Sequence, residues 1–307
     1  MYKRLFLNLF AVLLIIFLGV PARPEVNSQD KVKVFVSIEP VAFFVKRVAG
    51  PLAEVSVLVG PGQEPHTFEP TPKLIAKLSK AQVLFTLGFP FEQTLAKKAG
   101  SALGKLRVVD LQQGIKLRHG SSEEEEHDRD ARPEHGLHHE AGAFDPHTWL
   151  NPRLAKIQAK TIADTLEQID PAHRSTYEDN LGKFQADLDK IDDQLRSSLA
   201  PAKGKSFFVF HPAFGYFGDE YGLKQVAVEM EGKEPTARQL ARLIEKAKAS
   251  NVRVIFAEPQ FPKRIAQKLA KSIGGAVILI DDLSPDYLNN LKEVAVSLES
   301  ALRNQSK

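Results

Sequence analysis

The sequence predicts an α/β protein of two lobes, each a parallel sheet flanked by helices, joined by one long rigid helix. Three observations point there. Short β-branched runs alternate with segments of helical period between residues 33 and 109, the same alternation resumes at 207, and one unbroken helical stripe lies between them.

The first lobe opens with Lys-Val-Phe-Val-Ser-Ile, a strand over 33–38 ended by Pro40; the helix-period run 41–48 stops at Gly50 and Pro51. Strand 55–59, helix 71–80, strand 83–87, helix 91–99 and strand 107–109 follow. Thr71-Pro72 reads as an N-cap with proline at the first helical position, because proline has no N–H to leave unpaired there. His66 therefore falls in the loop between a strand end and a helix start.

From 119 to 140 the composition collapses to Glu, His, Asp, Arg and Gly, with four successive glutamates at 123–126. Such a segment buries too little apolar surface to offset the entropy of ordering, so disorder is expected over 119–141. Beyond Trp149 a helix over 153–169 precedes Asp170-Pro171, and a longer helix follows. Its apolar residues Tyr177, Leu181, Phe184, Leu188, Ile191, Leu195 and Leu199 step by four and three until Pro201. At about 1.5 Å per residue it spans roughly 40 Å. This linking helix, within 171–200, divides a first lobe over 31–170 from a second over 201–307.

The second lobe reads as strand 207–210, helix 214–220, strand 224–228, helix 236–249, strand 252–256, helix 263–272, strand 276–280 and a last helix from 286. Gly274-Gly275 stop the penultimate helix.

Residues 1–22 stand apart: Lys3 and Arg4, the apolar run 5–20 and the small-residue site Val20-Pro21-Ala22 read as a secretory signal peptide. An uncleaved membrane anchor is the alternative, and on either reading the body is exported, with the periplasm as its expected place. Without those two cations the formal charge falls from +3 to +1, and no basic stripe is present to hold nucleic acid. There are no cysteines, which excludes a disulfide framework, a thiolate metal site and a lipid-modified cysteine.

In an open parallel sheet, ligands bind outside the carboxyl ends of the strands, so polar residues directly after strands are the candidates. His211 follows Phe210, Asp281 follows Ile280, Glu258 follows the run 252–257, His66 lies after Val59, and His147 joins from the loop ahead of the connecting helices. Pro65, Pro146 and Pro212 each adjoin one histidine and restrict its backbone, which suits a preorganised ligand. Singly, a loop histidine is more often a satisfied polar residue than a ligand, Asp281-Asp282 can merely end a strand, and Glu258 can accept backbone hydrogen bonds. Their convergence argues for a metal site held by nitrogen and oxygen.

Four stretches carry a resemblance: Gly60-Pro61-Gly62-Gln63-Glu64-Pro65-His66-Thr67-Phe68-Glu69-Pro70, Asp145-Pro146-His147-Thr148-Trp149-Leu150-Asn151-Pro152, Phe210-His211-Pro212-Ala213-Phe214-Gly215-Tyr216-Phe217 and Phe256-Ala257-Glu258-Pro259-Gln260-Phe261. They resemble the metal-binding solute-binding proteins of bacterial ABC importers (cluster A-I), and within them the zinc-specific branch, from about Lys33 to the C-terminus. The resemblance implies that His66, His147 and His211 bind the metal in the cleft between the lobes, with Asp281 as fourth ligand. Glu64 and Glu258 would then be further ligands or supports behind them. Asp282 departs from the family pattern, in which a proline often follows the aspartate. The implied function is capture of Zn2+ outside the cytoplasm, and its delivery to an ABC permease with a cytoplasmic ATPase, by a monomer that is not an enzyme.

Three imidazoles and one carboxylate fill a closed tetrahedral zinc site. Imidazole at 211, where manganese-selective relatives place a carboxylate, favours zinc over harder ions. Two alternatives stand beside this reading: a manganese or other divalent-metal protein of the same family, and an exported zinc hydrolase with Glu258 as general base. His119, His127, His135, His138 and His139 read either as weak accessory sites that raise the local zinc supply or as part of a solvated linker.

Overall fold

The computed structural model describes residues 31–102, 106–120, 144–229 and 235–304. The chain runs β1 (Val32–Val36), α1 (Glu39–Ala49), β2 (Ala53–Val57), α2 (Pro72–Leu78), β3 (Val83–Thr86), α3 (Pro90–Ala102) and β4 (Arg107–Asp110). Helices α4 (Pro152–Ile169) and α5 (Arg174–Leu199) come next. The second half is β5 (Ser206–Val209), α6 (Gly215–Tyr221), β6 (Lys224–Ala227), α7 (Ala237–Ala249), β7 (Val254–Ala257), α8 (Lys263–Ser272), β8 (Ala276–Leu279) and α9 (Tyr287–Asn304). The first sheet has the order β2-β1-β3-β4 and the second β6-β5-β7-β8, every pairing parallel. In each sheet the chain therefore crosses between its second and third strands, and loops after the inner strands gather at one edge.

Local chemistry explains the helix ends. The Thr71 hydroxyl accepts from Leu74 N, and Thr236 exchanges hydrogen bonds with Gln239 in a capping box that opens α7. Gly222 closes α6 in the left-handed conformation at φ 72°, which a side chain would disfavour.

Boundaries move for identifiable reasons. The first strand ends at Val36: Ser37 O still accepts from Val59 N at 3.0 Å, but its hydroxyl meets the Glu92 carboxylate and Ile38 becomes the N-cap of α1. Pro40 thus sits in the first turn of a helix. Residues 252 and 253, expected in a strand, stay outside it: Asn251 turns the chain at φ 51°, and β7 begins only at Val254. Helix α3 continues through Gly100 to Ala102.

Helix α5 has 26 residues, about 39 Å at 1.5 Å per residue. It buries Tyr177, Phe184, Leu188, Ile191, Leu195 and Leu199 and packs on α1, α4 and α9. Phe44 of α1 lies 5.5 Å from the Phe184 ring and 4.7 Å, edge on, from Tyr287 of α9, so the C-terminal helix reaches the first lobe. One buried cluster consequently runs through both halves by way of α5. A smaller one fills the face of the second sheet beneath α7 and α8. Fully buried Trp149 adds a polar tie: its Nε1 donates to Asp282 O at 2.8 Å, and its carbonyl accepts from Tyr287 Oη at 2.6 Å.

The expected signal peptide at 1–22 and the segment 121–143, with His127, His135, His138 and His139, lie outside the described residues. Among the described residues no helix is long and apolar enough to cross a membrane.

Candidate metal centre

A carboxylate fixes the backbone of each of the three histidines, and a carboxylate also faces the ring of His147 and of His211. His66 sits in a 3-10 turn, Pro65–Thr67, whose cap is Glu64: its two oxygens accept from His66 N and Thr67 N, each at 2.7 Å. Asp145 Oδ1 accepts from His147 N at 2.9 Å and lies 2.7 Å from the same residue's Nδ1. His211 leaves β5 with its N–H donating to Glu258 Oε2 at 3.1 Å, and its Nδ1 faces Glu229 Oε1 at 2.5 Å.

These supports aim three imidazoles at one point. His66 Nε2 is 3.2 Å from His147 Nε2, and His211 Nε2 is 3.0 Å from it. One ligand atom from each histidine lies within 4.8 Å of the other two. Zinc bonds of about 2.0–2.1 Å at tetrahedral angles set ligand nitrogens about 3.3 Å apart, so two of the distances already match a coordination polyhedron. Aromatic rings wall the point: Phe89 stands edge-on to His66 at 5.2 Å, Trp149 is 5.2 Å from His147, and Phe261 stacks on His211 at 4.9 Å. His147 and His211 are buried, and His66 is partly so.

The protonation pattern follows from the partners. A carboxylate at Nδ1 holds the proton there, which makes Nε2 the lone-pair nitrogen of both His147 and His211. The 3.0 Å between the two Nε2 atoms is spanned by a hydrogen bond while either carries a proton, and a cation can take its place once both rings are neutral. Burial, with the neighbouring His147 and His211, holds His66 well below the usual histidine range. Burial also pulls His211 down, but hydrogen bonding and charge from Glu229, with Asp282 and Glu64 behind it, outweigh that and leave it raised.

The other predicted residues are placed as follows. Asp281 is not among the three grouped histidines; its Oδ1 accepts from Leu283 N at 2.9 Å, and burial raises its carboxyl. Asp282 is buried, accepts from Gln260 Nε2 at 2.6 Å, and acts by charge on His211. Glu258 is wholly buried behind His211; burial pushes it well above the carboxylate range, and its Oε1 makes no hydrogen bond among the described residues. Glu64 is occupied in capping the His66 turn. His119 forms an antiparallel bridge with Phe144 and stacks on its ring at 5.1 Å. Sequence reasoning passed over Glu229 and Asp145. Glu229 comes two residues after β6, so the strand-end rule that picked out His211 reaches it too.

Comparison with known proteins gives a consistent outcome. The family model for ZnuA, "Zinc-uptake complex component A periplasmic", matches residues 34–301. The "High-affinity zinc uptake system protein ZnuA" of Bacillus subtilis is 36% identical over 261 residues, 84% of this chain and 80% of that protein. A crystal structure of ZnuA superposes with a TM-score of 0.80 at 37% identity, covering 89% of this chain and all of that one. Zn(II)-bound AdcA of Streptococcus pneumoniae has a TM-score of 0.72 at 27% identity over 89% of this chain, which spans only 58% of that longer protein. With two parallel sheets joined by a long helix and a three-histidine centre at their junction, the chain belongs to the family of periplasmic zinc-uptake component A proteins.

Proposed function

We propose that this protein captures Zn2+ outside the cytoplasm with His66, His147 and His211 and releases it to the permease of an ABC importer that is driven by a cytoplasmic ATPase. The observation that carries this is the 3.0 Å approach of the Nε2 atoms of His147 and His211, each turned into an acceptor by a carboxylate on its other nitrogen. Neutral imidazoles fixed in this way suit zinc and leave harder, oxygen-seeking ions at a disadvantage. The protein binds and carries; it is not an enzyme, as its family membership states. It acts in the periplasm as a monomer, freed from the signal peptide at 1–22.

For the fourth coordination place we favour Asp281 on the resemblance, with Glu258 or a water as the alternatives; among the described residues the ligand atoms grouped together are those of the three histidines. Zinc titration of Asp281→Asn and Glu258→Gln separates these, because only the ligand's replacement lowers affinity strongly.

Metal analysis of protein purified without added metal, followed by competition titration, tests the whole reading. One tightly held zinc per chain is expected, and His147→Ala or His211→Ala abolishes it. Saturating zinc also raises the melting temperature, since binding the folded state alone stabilises it by RT ln(1 + [L]/Kd). Retention of tight zinc by both variants would refute the assignment.

A further inference from the structure

Arg118 occupies a position that nothing in the metal centre explains. It follows β4, in the chain of the first lobe, yet its guanidinium lies between two carboxylates from different parts of the fold. Nη1 is 3.7 Å from Asp145 Oδ2, and Nε is 3.5 Å from Asp219 Oδ2 on α6 of the second lobe. Its backbone is gripped as well: Arg118 N donates to Tyr216 Oη at 2.9 Å, and Arg118 O accepts from Asp145 N at 3.0 Å. Tyr216 Oη in turn donates to Asp145 O at 3.0 Å, and the guanidinium stands over the Tyr216 ring at 5.8 Å.

Gly215 records the same contact from the other side. A Cβ built on it would lie 1.4 Å from Arg118 Nη1 and 2.9 Å from Asp145 Oδ2, so the absence of a side chain there makes room for the guanidinium. Asp145 is the carboxylate that orients His147 through its other oxygen. Asp145 therefore faces a ligand with Oδ1 and the interlobe cation with Oδ2.

We propose that Arg118 is a clasp between the lobes that positions His147 against His211 and thereby sets how long zinc is held. The inference rests on the reading of those histidines as ligands. Trp149 to Asp282 O and Asn151 to Glu220 tie the same segment to the second half, so loss of the clasp loosens the site without unfolding the protein. The pair with exposed Asp219 adds little to global stability, and buried Asp145 keeps its contacts to His147 when the guanidinium goes. What Arg118 controls is geometry: with the guanidinium gone, the 145–147 segment loses a fixed distance to α6, and His147 swings from its place beside His211 more readily.

The experiment is zinc release from the full-length protein into excess chelator, followed by stopped flow. Arg118→Ala and Gly215→Ala, the latter displacing the guanidinium and pressing on Asp145 Oδ2 without removing either, each release zinc roughly tenfold faster, the scale on which supports of metal ligands act. Both keep one zinc per chain, and both still unfold in a single transition when metal-free. Arg118→Lys, which retains the charge, falls between wild type and Arg118→Ala. Added salt speeds wild type towards the alanine variant, because it screens exposed pairs. Release at the wild-type rate from Gly215→Ala and Arg118→Ala overturns the clasp, as does a lysine variant as fast as alanine. His147→Ala is measured alongside: wild-type affinity in that variant would refute the ligand assignment itself, a failure distinct from that of the clasp.

Discussion

Glu229 Oε1 lies 2.5 Å from Nδ1 of His211, the counterpart of the 2.7 Å contact between Asp145 Oδ1 and Nδ1 of His147. In both pairs the carboxylate faces Nδ1 and favours the tautomer that leaves Nε2 able to accept a metal. Glu229→Ala should thus let the His211 ring choose its tautomer and rotate, lowering zinc affinity by about 10–100-fold without removing a ligand. Competition titration measures this, and unchanged affinity would show that burial and Phe261 alone orient the ring.

A second prediction concerns pH. Zinc needs neutral imidazoles, so protons and metal compete. Burial and the two neighbouring histidines hold His66 well below 6.5, so it carries no proton near neutrality for zinc to displace. His211 has a net upward shift: burial opposes it, but Glu229 prevails. The sign follows. A raised folded value means that the His211–Glu229 pair stabilises the metal-free protein fully below the unfolded value of about 6.5 and loses that contribution as pH rises through the folded value. Zinc affinity moves the opposite way, climbing as His211 gives up its proton. Titrations at about pH 6 and about pH 8 should differ clearly, with proton release on binding at the lower pH. Equal affinities would exclude a histidine-based site.

The strand–helix alternation and the α5 stripe were legible because they are periodic. The three histidines were legible because each lies between a strand end and a helix start or beside a proline, settings that restrict a loop. Asp145 was hidden in a different way: a carboxylate that bonds the ring two residues on leaves no periodic trace, and Asp-Pro reads as a turn. Arg118 was beyond sequence reasoning, since its partners at 145, 216 and 219 come together only when the two halves pack. The continuous core was unreadable for the same reason. Nothing local tells that Tyr287 of α9 meets Phe44 of α1.

That shared core carries a prediction about cooperativity. Phe184 is fully buried on α5 against Phe44 and lies 5.9 Å from Phe43. Truncation to alanine leaves a cavity at the junction of α1 and α5 and should cost about 3–5 kcal/mol. Because one cluster joins both halves, calorimetry of the metal-free variant should still show a single transition at lower temperature. Two separated transitions would mean that the lobes unfold independently and that α5 does not fuse them.

The last prediction concerns the segment that carries His127, His135, His138 and His139 with the glutamates at 123–126. Its two ends meet: His119 bridges Phe144, and Asp145 N donates to Arg118 O at 3.0 Å. Ends paired in antiparallel fashion can be rejoined by a tight two-residue turn, so residues 120–143 can be replaced by Asn-Gly without moving Asp145 or His147. The three-histidine centre should then bind one zinc as tightly as before. What disappears is any weak zinc bound beyond that one, because the removed imidazoles and carboxylates must pay ordering entropy to chelate and are poorer sites than a preorganised one. Tethered beside the centre, such weak sites raise the local zinc supply, so the shortened protein should fail to support growth only when zinc is scarce. Calorimetry that counts the same number of zinc ions before and after the replacement would make the segment a linker and end its role as a collector.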